Sequence, residues 1–376
     1  MTAALLTPAA GEGAASAAQT YIAHWGSLGE GTGASADTLL SPTQIDLPGQ
    51  VVQVATSNST QYALLASGAV YAWGLGGDGQ LGYGGTGNSF TVAVQVRFPV
   101  GVTIAALPTD AMPFSTGLAL DTKGNVWGWG LNMSGELCLG NTARYLSPVE
   151  LPLTGVTILA GAGDHALYDS NGTVYGCGGN GHGDLGDGTK HLSRTPVPVQ
   201  GLAGRHVQAL VASFNDSGAL LDNGEYLDWG YDGQGQLGDG EIGVSSTVPV
   251  EVSLPLPVTQ VAQGGSDAGN GQTLVILSNG SLRSWGDGQS GQLGDEQTGI
   301  QPSPVEFFPP NGVTYEQLAT SGVTSYALSS TGDVYSFGGG RYGQIGNGKT
   351  ANRMTPVLVE SGVSLLSATA RGVATG

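Results

Sequence analysis

Basic residues are scarce in this chain of 376 residues. Lys and Arg total 11 against 29 Asp and Glu, which gives a formal net charge of −18. Proteins that bind nucleic acid usually carry an excess of Lys and Arg on one face, so we expect no nucleic-acid partner. An anionic membrane surface is disfavoured for the same reason, and no run of 18 apolar residues is present to span a membrane. A basic protein, a cation or a neutral ligand fits this charge better.

Motifs for catalysis and metal binding are also missing from the sequence. It has no nucleophile elbow, no HExxH motif and no paired Cys–His cluster, and its five histidines show no metal-ligand spacing. Residues 343–350, GQIGNGKT, match the phosphate-loop pattern, but residues 235–242 and 183–190 occupy the same place in a repeat. We therefore expect no catalytic residue, no metal and no cofactor, and a structural hydrogen bond within its own repeat for His165.

Glycine is abundant, with 66 residues, and it marks an internal repeat. Residues 226–240, YLDWGYDGQGQLGDG, join an aromatic run ending in Trp-Gly to a glycine-rich loop and the phrase Gln-Leu-Gly. Seven related copies occur, and their aromatic runs end at Gly26, Gly74, Gly130, Gly178, Gly230, Gly286 and Gly338. These glycines are separated by 48, 56, 48, 52, 56 and 52 residues. A period of about 50 residues indicates a repeat architecture.

These phrases resemble the regulator of chromosome condensation repeat, a family of seven-bladed β-propellers. The resemblance covers the chain from about residue 21 to the end. It implies an all-β fold, a closed seven-bladed propeller of four-stranded blades in which the two termini share one blade. We expect residues 1–20 to form a flexible or partly ordered segment before a single domain at residues 21–376. Known members serve unrelated tasks, so the resemblance does not fix the function.

Four strand-like runs can be assigned to a repeat. The first is β-branched and alternating, the second is centred on Ala-Leu, the third carries Trp-Gly, and the fourth begins near a Ser/Thr-Pro or Val-Pro. Asn-Gly or a similar pair separates the second strand from the third, which is typical of a tight hairpin. The first strands are expected at residues 51–55, 102–106, 156–160, 207–211, 258–262, 315–319 and 363–367.

Alternating strand direction places two sets of loops on the same face. The loops between strands one and two and between strands three and four should share that face, and they contain most of the irregular residues. Aromatic, Met and Arg side chains are typical interface anchors. We therefore predict that a partner contacts some or all of Phe114, Met133, Phe214, Asp216, Tyr231, Asp267, Arg341 and Tyr342.

Acidic residues recur in the same loops. Either they support turns and solubility or they form an acidic binding face that attracts a basic partner. They are Asp78, Asp110, Glu136, Asp164, Asp184, Asp187, Asp216, Asp232, Asp239, Asp267, Asp287 and Asp295.

The leading functional hypothesis is a monomeric, non-catalytic interaction propeller that binds a protein or other ligand through the loops of this face. The first alternative is a secreted carbohydrate-active enzyme, a lyase or glycosidase, with its site at the mouth of the central channel. Such an enzyme needs convergent acid and base groups, and clustered carboxylates with raised pKa values would favour it. The second alternative is a guanine-nucleotide exchange-type regulator, against which the acidic charge argues.

Two cysteines replace repeat residues in adjacent copies. Cys138 stands in place of the second glycine of the Gly-x-Leu-Gly phrase, and Cys177 stands in place of the tryptophan. A disulfide between them and two free buried thiols both stay open, because sequence alone does not give the Cα separation. The remaining aromatic positions are expected to be buried between blades without a ligand, at Trp73, Trp129, Trp229, Trp285 and Phe337.

The N-terminal residues and the overall composition bear on the cellular location of the protein. Residues 1–19 are rich in small side chains and carry no Lys or Arg, which does not match a signal peptide. The high content of Ala, Gly, Ser and Thr favours an exported bacterial protein, with a cytoplasmic protein as the alternative.

Overall fold

Short antiparallel strands account for almost all of the regular structure. The computed structural model describes residues 21–27, 38–57, 60–108, 112–266, 269–368 and 372–375. The expected N-terminal segment, residues 1–20, lies outside this range, as do Asp110 and Asp267. Within the described part of the chain, no helix is long and apolar enough to cross a membrane.

Six blades, numbered one to six, each consist of four consecutive strands that pair in chain order. Blade one contains β3 (Val51–Ser57), β4 (Thr60–Leu65), β5 (Val70–Gly74) and β6 (Ser89–Gln95); blade two contains β7 (Ile104–Ala106), β8 (Thr116–Asp121), β9 (Val126–Gly130) and β10 (Tyr145–Glu150). Blade three contains β11 (Val156–Ala162), β12 (His165–Ser170), β13 (Thr173–Gly178) and β14 (Ser193–Pro198); blade four contains β15 (Val207–Ala212), β16 (Asp216–Leu221), β17 (Tyr226–Gly230) and β18 (Ser246–Glu251). Blade five contains β19 (Val258–Gly265), β20 (Gly271–Leu277), β21 (Leu282–Asp287) and β22 (Ile300–Phe307); blade six contains β23 (Tyr315–Thr320), β24 (Thr324–Ser329), β25 (Val334–Gly338) and β26 (Arg353–Glu360).

The remaining sheet joins the two ends of the described chain. This closing sheet has the order β2-β1-β28-β27, from β1 (Tyr21–Ser27), β2 (Thr38–Asp46), β27 (Leu366–Ala368) and β28 (Gly372–Thr375). The predicted seven-bladed propeller is therefore wrong in its blade count, because only six blades are continuous four-stranded units of the chain. The physical reason is that the first copy supplies only two strands before β3, so its sheet is completed from the other end of the chain.

The predicted strand order within a repeat is confirmed, and the strand ends differ by a few residues. The expected first strands at residues 102–106 and 363–367 are shorter in the structure, at Ile104–Ala106 and Leu366–Ala368. The proline-bearing fourth strands are the outermost strands of their blades, where a missing N–H breaks no ladder hydrogen bond.

Hydrophobic clusters fill the spaces between neighbouring blades. The predicted burial of Trp73, Trp129, Trp229, Trp285 and Phe337 is confirmed, since each is 0% exposed. Three of the indoles also donate across the junction: Nε1 of Trp129 to Gln80 O at 2.7 Å, Nε1 of Trp229 to Asp184 O at 2.9 Å, and Nε1 of Trp285 to Gln236 O at 2.7 Å. Blades two, four and five are thereby fixed to the glycine-rich loop of the blade before them.

The junction between blades two and three is held by a disulfide. Cys138 and Cys177 are bonded, with their Cα atoms 5.5 Å apart. At other junctions a glycine with positive φ lies against the next blade's aromatic ring, as Gly82 does against Trp129. Cys138 keeps this backbone conformation, with φ of 58°, so the bridge replaces the glycine–tryptophan contact at the same place.

Candidate functional site

One face of the propeller carries both predicted sets of loops. Ser134, in the loop between strands three and four of blade two, donates to Asp164 Oδ2 at 2.8 Å in the first loop of blade three. Gln236 Nε2 of blade four donates to Gly269 O of blade five at 3.0 Å in the same way. These contacts confirm the prediction from strand direction, and we call this side the loop face.

The glutamine of the Gly-Gln-Leu-Gly phrase stabilises these loops by accepting a hydrogen bond from a backbone N–H of its own loop. The side-chain oxygen of Gln80 accepts from the backbone N–H of Asp78 at 2.8 Å, and Gln236 accepts from Gln234 N at 2.7 Å. Glu136 takes this place in blade two and accepts from Ser134 N at 3.0 Å. Burial raises the pKa of Glu136 to about 7, because the charged carboxylate is removed from water.

Five of the ten predicted loop acids that the structure describes are structural. Glu136, Asp184, Asp216, Asp232 and Asp287 are all buried. The exposed or half-buried charges on the loop face are nearly balanced, with seven acidic and six basic side chains among the described residues: Asp78, Asp164, Asp187, Asp239, Glu241, Asp295, Glu296, Arg144, Lys190, Arg194, Arg341, Lys349 and Arg353. The turn interpretation therefore accounts for the buried acids, and the described part of the loop face carries nearly equal numbers of acidic and basic side chains.

A cavity opens at the centre of the loop face, where the innermost strands end. Strands β11, β15, β19, β23 and β27 all contribute to it, and its volume is about 50 Å³. We call it the mouth cavity; the residues used below are Met112, Phe114, Ser213, Phe214, Gln263 and Thr320. One side of the cavity is thus aromatic and apolar, and the other side carries hydroxyl and amide groups.

Two predicted residues, Phe114 and Phe214, meet at this cavity. The backbone N–H of Phe114 donates to Gly163 O, and a Cβ on Gly163 would clash with the backbone oxygen of Phe214 at 2.2 Å. Glycine at position 163, with φ of 52°, therefore lets the three loops pack closely. Phe114 remains 37% exposed, so its ring is available to a ligand.

Two buried carboxyl groups lie directly behind the polar side of the mouth cavity. Ser213 Oγ donates to Asp216 Oδ1, and Gln263 Nε2 donates to Asp228 at 2.9 Å and 3.1 Å. Burial, together with the nearby charges of Asp184 and Asp232, raises the pKa of Asp216 to about 7. Burial and the charge of Asp216 raise the pKa of Asp228 well above its usual range. Asp216, predicted as a contact residue, thus lies one hydrogen bond away from the cavity.

The other predicted contact residues lie further from the centre or outside the described residues. Met133 is 72% exposed on the loop of blade two, and Tyr342 is exposed on the loop of blade six with the Arg341 guanidinium 5.5 Å from its ring centre. Tyr231 packs edge-on against His182, with ring centres 4.7 Å apart. Asp267 falls outside the described residues. The structure therefore separates a central group from a peripheral group.

His165 forms a structural hydrogen bond, but across a blade junction and not within its own repeat. Its Nε2 lies 2.8 Å from Ser217 Oγ, which donates to Asp184 O at 2.8 Å. Because the Ser217 hydroxyl donates its hydrogen bond to that carbonyl, Nε2 of His165 carries the hydrogen and donates to Ser217 Oγ. Burial lowers the pKa of His165 to about 4, so the ring is neutral at physiological pH.

Sequence reasoning missed Ser213, Gln263 and Thr320 at the mouth cavity. Each lies at or near the end of a first strand, where small or polar residues replace the β-branched pattern. Aligning the ends of the first strands, instead of the loop tips alone, could have found them. Among the described residues, no group of three or more His, Cys, Asp or Glu side chains is placed to hold a metal ion.

Comparison with curated proteins gives relatives that cover most or part of the chain. The ultraviolet-B receptor UVR8 of Arabidopsis thaliana is 29% identical over 345 residues, which cover 89% of this chain and 76% of the receptor. The mitochondrial RCC1 domain-containing protein RUG3 of Arabidopsis thaliana is 30% identical over 237 residues, 58% of this chain and 52% of that protein. The chain therefore spans about half the length of RUG3.

Comparison with solved structures supports the fold. Prp20p from Saccharomyces cerevisiae, described by its binding to Gsp1p and histones, superposes with a TM-score of 0.80 at 22% identity, over 96% of this chain and 92% of that one. The family description "Regulator of chromosome condensation (RCC1) repeat" matches residues 67–107, 171–215 and 331–376. Together with the Trp-Gly and Gly-x-Leu-Gly contacts described above, these matches show that the chain contains regulator of chromosome condensation repeats.

Proposed function

We propose that this propeller is a non-catalytic interaction protein that binds a protein partner through its loop face. The observation that carries the proposal is the pair Phe114 and Phe214 beside an open cavity at the centre of a rigid ring. Aromatic side chains around a central pocket are typical anchors of a protein interface. Met133 and Tyr342 extend the exposed apolar surface on the same face. Prp20p from Saccharomyces cerevisiae, a propeller of the same fold that binds Gsp1p and histones, is a precedent for such use.

The test compares matched phenylalanine substitutions on the two faces. A partner is captured from the native milieu, purified, and its affinity is measured for the double variant Phe114→Ala/Phe214→Ala and for Phe308→Ala. Phe308 is 65% exposed and follows the fourth strand of blade five, which places it on the opposite face. We expect the double variant to lose at least about 2 kcal/mol of binding free energy, as truncated hot spots do, and Phe308→Ala to bind normally. Weaker binding by Phe308→Ala together with normal binding by the double variant would refute the proposal.

A second candidate function has one observation in its favour. Carboxyl groups with raised pKa values, Glu136, Asp184 and Asp216, lie in neighbouring loops, as a glycosidase or lyase would require. Each of them is buried, however, and Asp216 is separated from the mouth cavity by Ser213. A general acid must come within hydrogen-bond reach of its substrate. Turnover of a polysaccharide that Glu136→Gln or Asp216→Asn abolishes without unfolding would establish the enzyme instead.

We also propose that the protein works in an oxidising compartment, as an exported protein. The disulfide between Cys138 and Cys177 supports this, because such bonds form and persist mainly outside the cytosol. Thiol counting on protein purified from its source under denaturing, non-reducing conditions tests it. Two free thiols would contradict the proposal.

A further inference from the structure

The mouth cavity combines aromatic rings with oxygen acceptors, and none of the described residues that line it has a charged side chain. The carboxyl groups of Asp216 and Asp228 lie behind Ser213 and Gln263, as described above. An organic ammonium group is recognised by this combination of aromatic faces, oxygen acceptors and nearby negative charge.

A second observation is that a buried side-chain oxygen at this cavity accepts no hydrogen bond from the described residues. Thr320 lines it, is only 3% exposed, and its Oγ1 has no hydrogen-bond partner among the described residues. Asp216 is equally buried, and its Oδ2 is also without a partner there. Buried oxygen acceptors are normally satisfied, so Thr320 Oγ1 is suited to a ligand that brings N–H donors, whereas Asp216 lies behind Ser213 and can act on such a ligand only through that hydroxyl. An ammonium group carries three such donors.

The size of the cavity agrees with this chemistry. Its volume of about 50 Å³ admits an ammonium head group with the methylenes next to it, whereas a bulky ring would remain outside. Phe114 and Phe214 stand at the opening, where the methylenes of a long side chain would pass. A lysine side chain has this form, an apolar stem with a charged end.

We propose that the mouth cavity binds the ammonium group of a lysine side chain presented by the protein partner. The proposal rests on the function proposed above and names the part of the partner that enters the ring. Ser213 and Gln263 would be the polar contacts at the cavity wall, and Asp216 would supply the counter-charge through Ser213.

Binding should depend on pH through the groups around Asp216. Asp184 faces it from the blade three loop, Asp232 from the blade four loop and Asp228 from β17, and all three are acidic. With a pKa of about 7, Asp216 is mainly protonated at pH 5.5. A cation favours the carboxylate, so it must displace that proton at low pH and bind more weakly there. Affinity for an ammonium group should therefore rise between pH 5.5 and pH 8.

The experiment uses a small lysine probe on the intact protein. Nα-acetyl-lysine N-methylamide and its Nε-acetylated form, which lacks the charge, are titrated by NMR at pH 5.5 and pH 8. We expect the charged probe to bind about tenfold more tightly than the acetylated probe at pH 8, with a smaller difference at pH 5.5. Asp216→Asn and Thr320→Val should each reduce this preference. Thr320→Val removes a hydroxyl that makes no hydrogen bond in the described structure, so it tests the site without disturbing the fold.

Controls separate this inference from the proposed function. Asp287→Asn replaces a buried acid of blade five and should leave probe binding unchanged. Equal binding of the two probes at pH 8, or no binding of either, overturns the ammonium site. If that happens while Phe114→Ala/Phe214→Ala still weakens the partner, the proposed function stands alone. If the lysine probe binds but Phe114→Ala/Phe214→Ala leaves the affinity for the partner unchanged, the ammonium site stands and the partner binds elsewhere.

Discussion

At the residue scale, Trp129, Trp229 and Trp285 each link neighbouring blades by burial and by a single hydrogen bond. Trp229 is 0% exposed and its Nε1 donates to Asp184 O, which also accepts from Ser217 Oγ. Burial of this ring could be predicted because Trp-Gly recurs at a fixed place in the repeat. The acceptor could not, because it is a backbone carbonyl of another repeat and leaves no mark in the sequence.

Replacing Trp229 by Ala should destabilise the protein by about 3–5 kcal/mol, because a large cavity opens between blades three and four. Trp229→Phe should cost less, since it fills most of the space and leaves Asp184 O bonded to Ser217. Urea unfolding measures both, and Met133→Ala, at an exposed site, serves as the control. Equal stability of Trp229→Ala and the wild type would refute the structural role.

Glu136 occupies the position of the repeat's glutamine and differs from it in having an ionisable carboxyl group. Gln80 and Gln236 accept the same loop N–H with a neutral amide, as do the equivalent glutamines of blades five and six. Asp184 of blade three and Glu136 accept it with a carboxyl group, and burial raises the pKa of Glu136 to about 7. The folded state holds this proton more tightly than the unfolded state does, so folding stability falls as pH rises from the ordinary value of 4.5 to about 7.

Glu136→Gln should therefore stabilise the protein at pH 8 and have little effect at pH 4. The expected gain at pH 8 is about 2–3 kcal/mol, from the pKa difference between the folded and unfolded states. Urea unfolding at both pH values measures it, and Glu150→Gln, at an exposed strand end, is the matched control. A gain of the same size at pH 4 would show that charge is not the cause.

At the element scale, the hairpins show what a two-residue signal can and cannot predict. The pair Asn171-Gly172 has positive φ at both residues, 53° and 78°, as the Asn-Gly signal predicts. In the other hairpins only the glycine has positive φ, as at Gly224 and Gly280. These turns have an extra residue, for example where Gly224 N donates to Leu221 O, so Asn223 and Asn279 stay in ordinary conformations. The position of each hairpin was predictable, but its type depends on where strand pairing stops.

The junction between blades two and three is a coordinated replacement of three residues. Cys138 and Cys177 stand for the glycine and the tryptophan, and Tyr168 stands where blades one and two have Ala63 and Ala119. The Tyr168 hydroxyl donates to Glu136 O at 3.2 Å, the carbonyl that a tryptophan would otherwise reach. The sequence showed both cysteines but gave no sign that Tyr168 fills the space between them.

The triple variant Cys138→Gly/Tyr168→Ala/Cys177→Trp should therefore fold, because it restores the contact that the other junctions use. Cys138→Gly/Cys177→Trp with Tyr168 retained should be less stable, since two large rings would compete for one space. Reduction should destabilise the wild type by about 2–4 kcal/mol and leave the triple variant unchanged. Urea unfolding with and without reductant tests this, and a wild type that is indifferent to reductant would contradict it.

At the scale of the whole molecule, strand direction predicted the loop face without any side-chain information. The central position of Phe114 and Phe214 could not be predicted, because it depends on how far each loop reaches over the ring. Which of the loop acids are buried could not be predicted either, since buried and exposed acids look alike in sequence. Sequence therefore located the surface, and the three-dimensional arrangement located the cavity within it.

The innermost strands are joined around the ring by glutamine side chains. Gln53 donates to Leu107 O at 2.8 Å and accepts from Leu107 N at 2.9 Å, which links blades one and two. Gln317 donates to Leu366 O at 2.8 Å, which links blade six to the closing sheet. The second link ties β27 to the continuous blades, and Thr56 Oγ1, 3.1 Å from Ser367 Oγ, ties it to blade one. Closure thus depends on a few polar contacts to a strand of three residues.

Gln317→Ala should loosen the closing sheet selectively, because β27 has few other polar contacts with blade six. Native-state hydrogen exchange should speed up at residues 366–368 and in β1, while Leu107 N keeps its protection. Gln53→Ala is the matched control: it removes the acceptor of Leu107 N and should speed exchange there without affecting β27. The expected loss of stability in each variant is about 1–3 kcal/mol, the cost of leaving a buried backbone group without its partner. If Gln317→Ala accelerates exchange equally in all blades, the ring opens as one cooperative unit and the closing sheet is not its weak point.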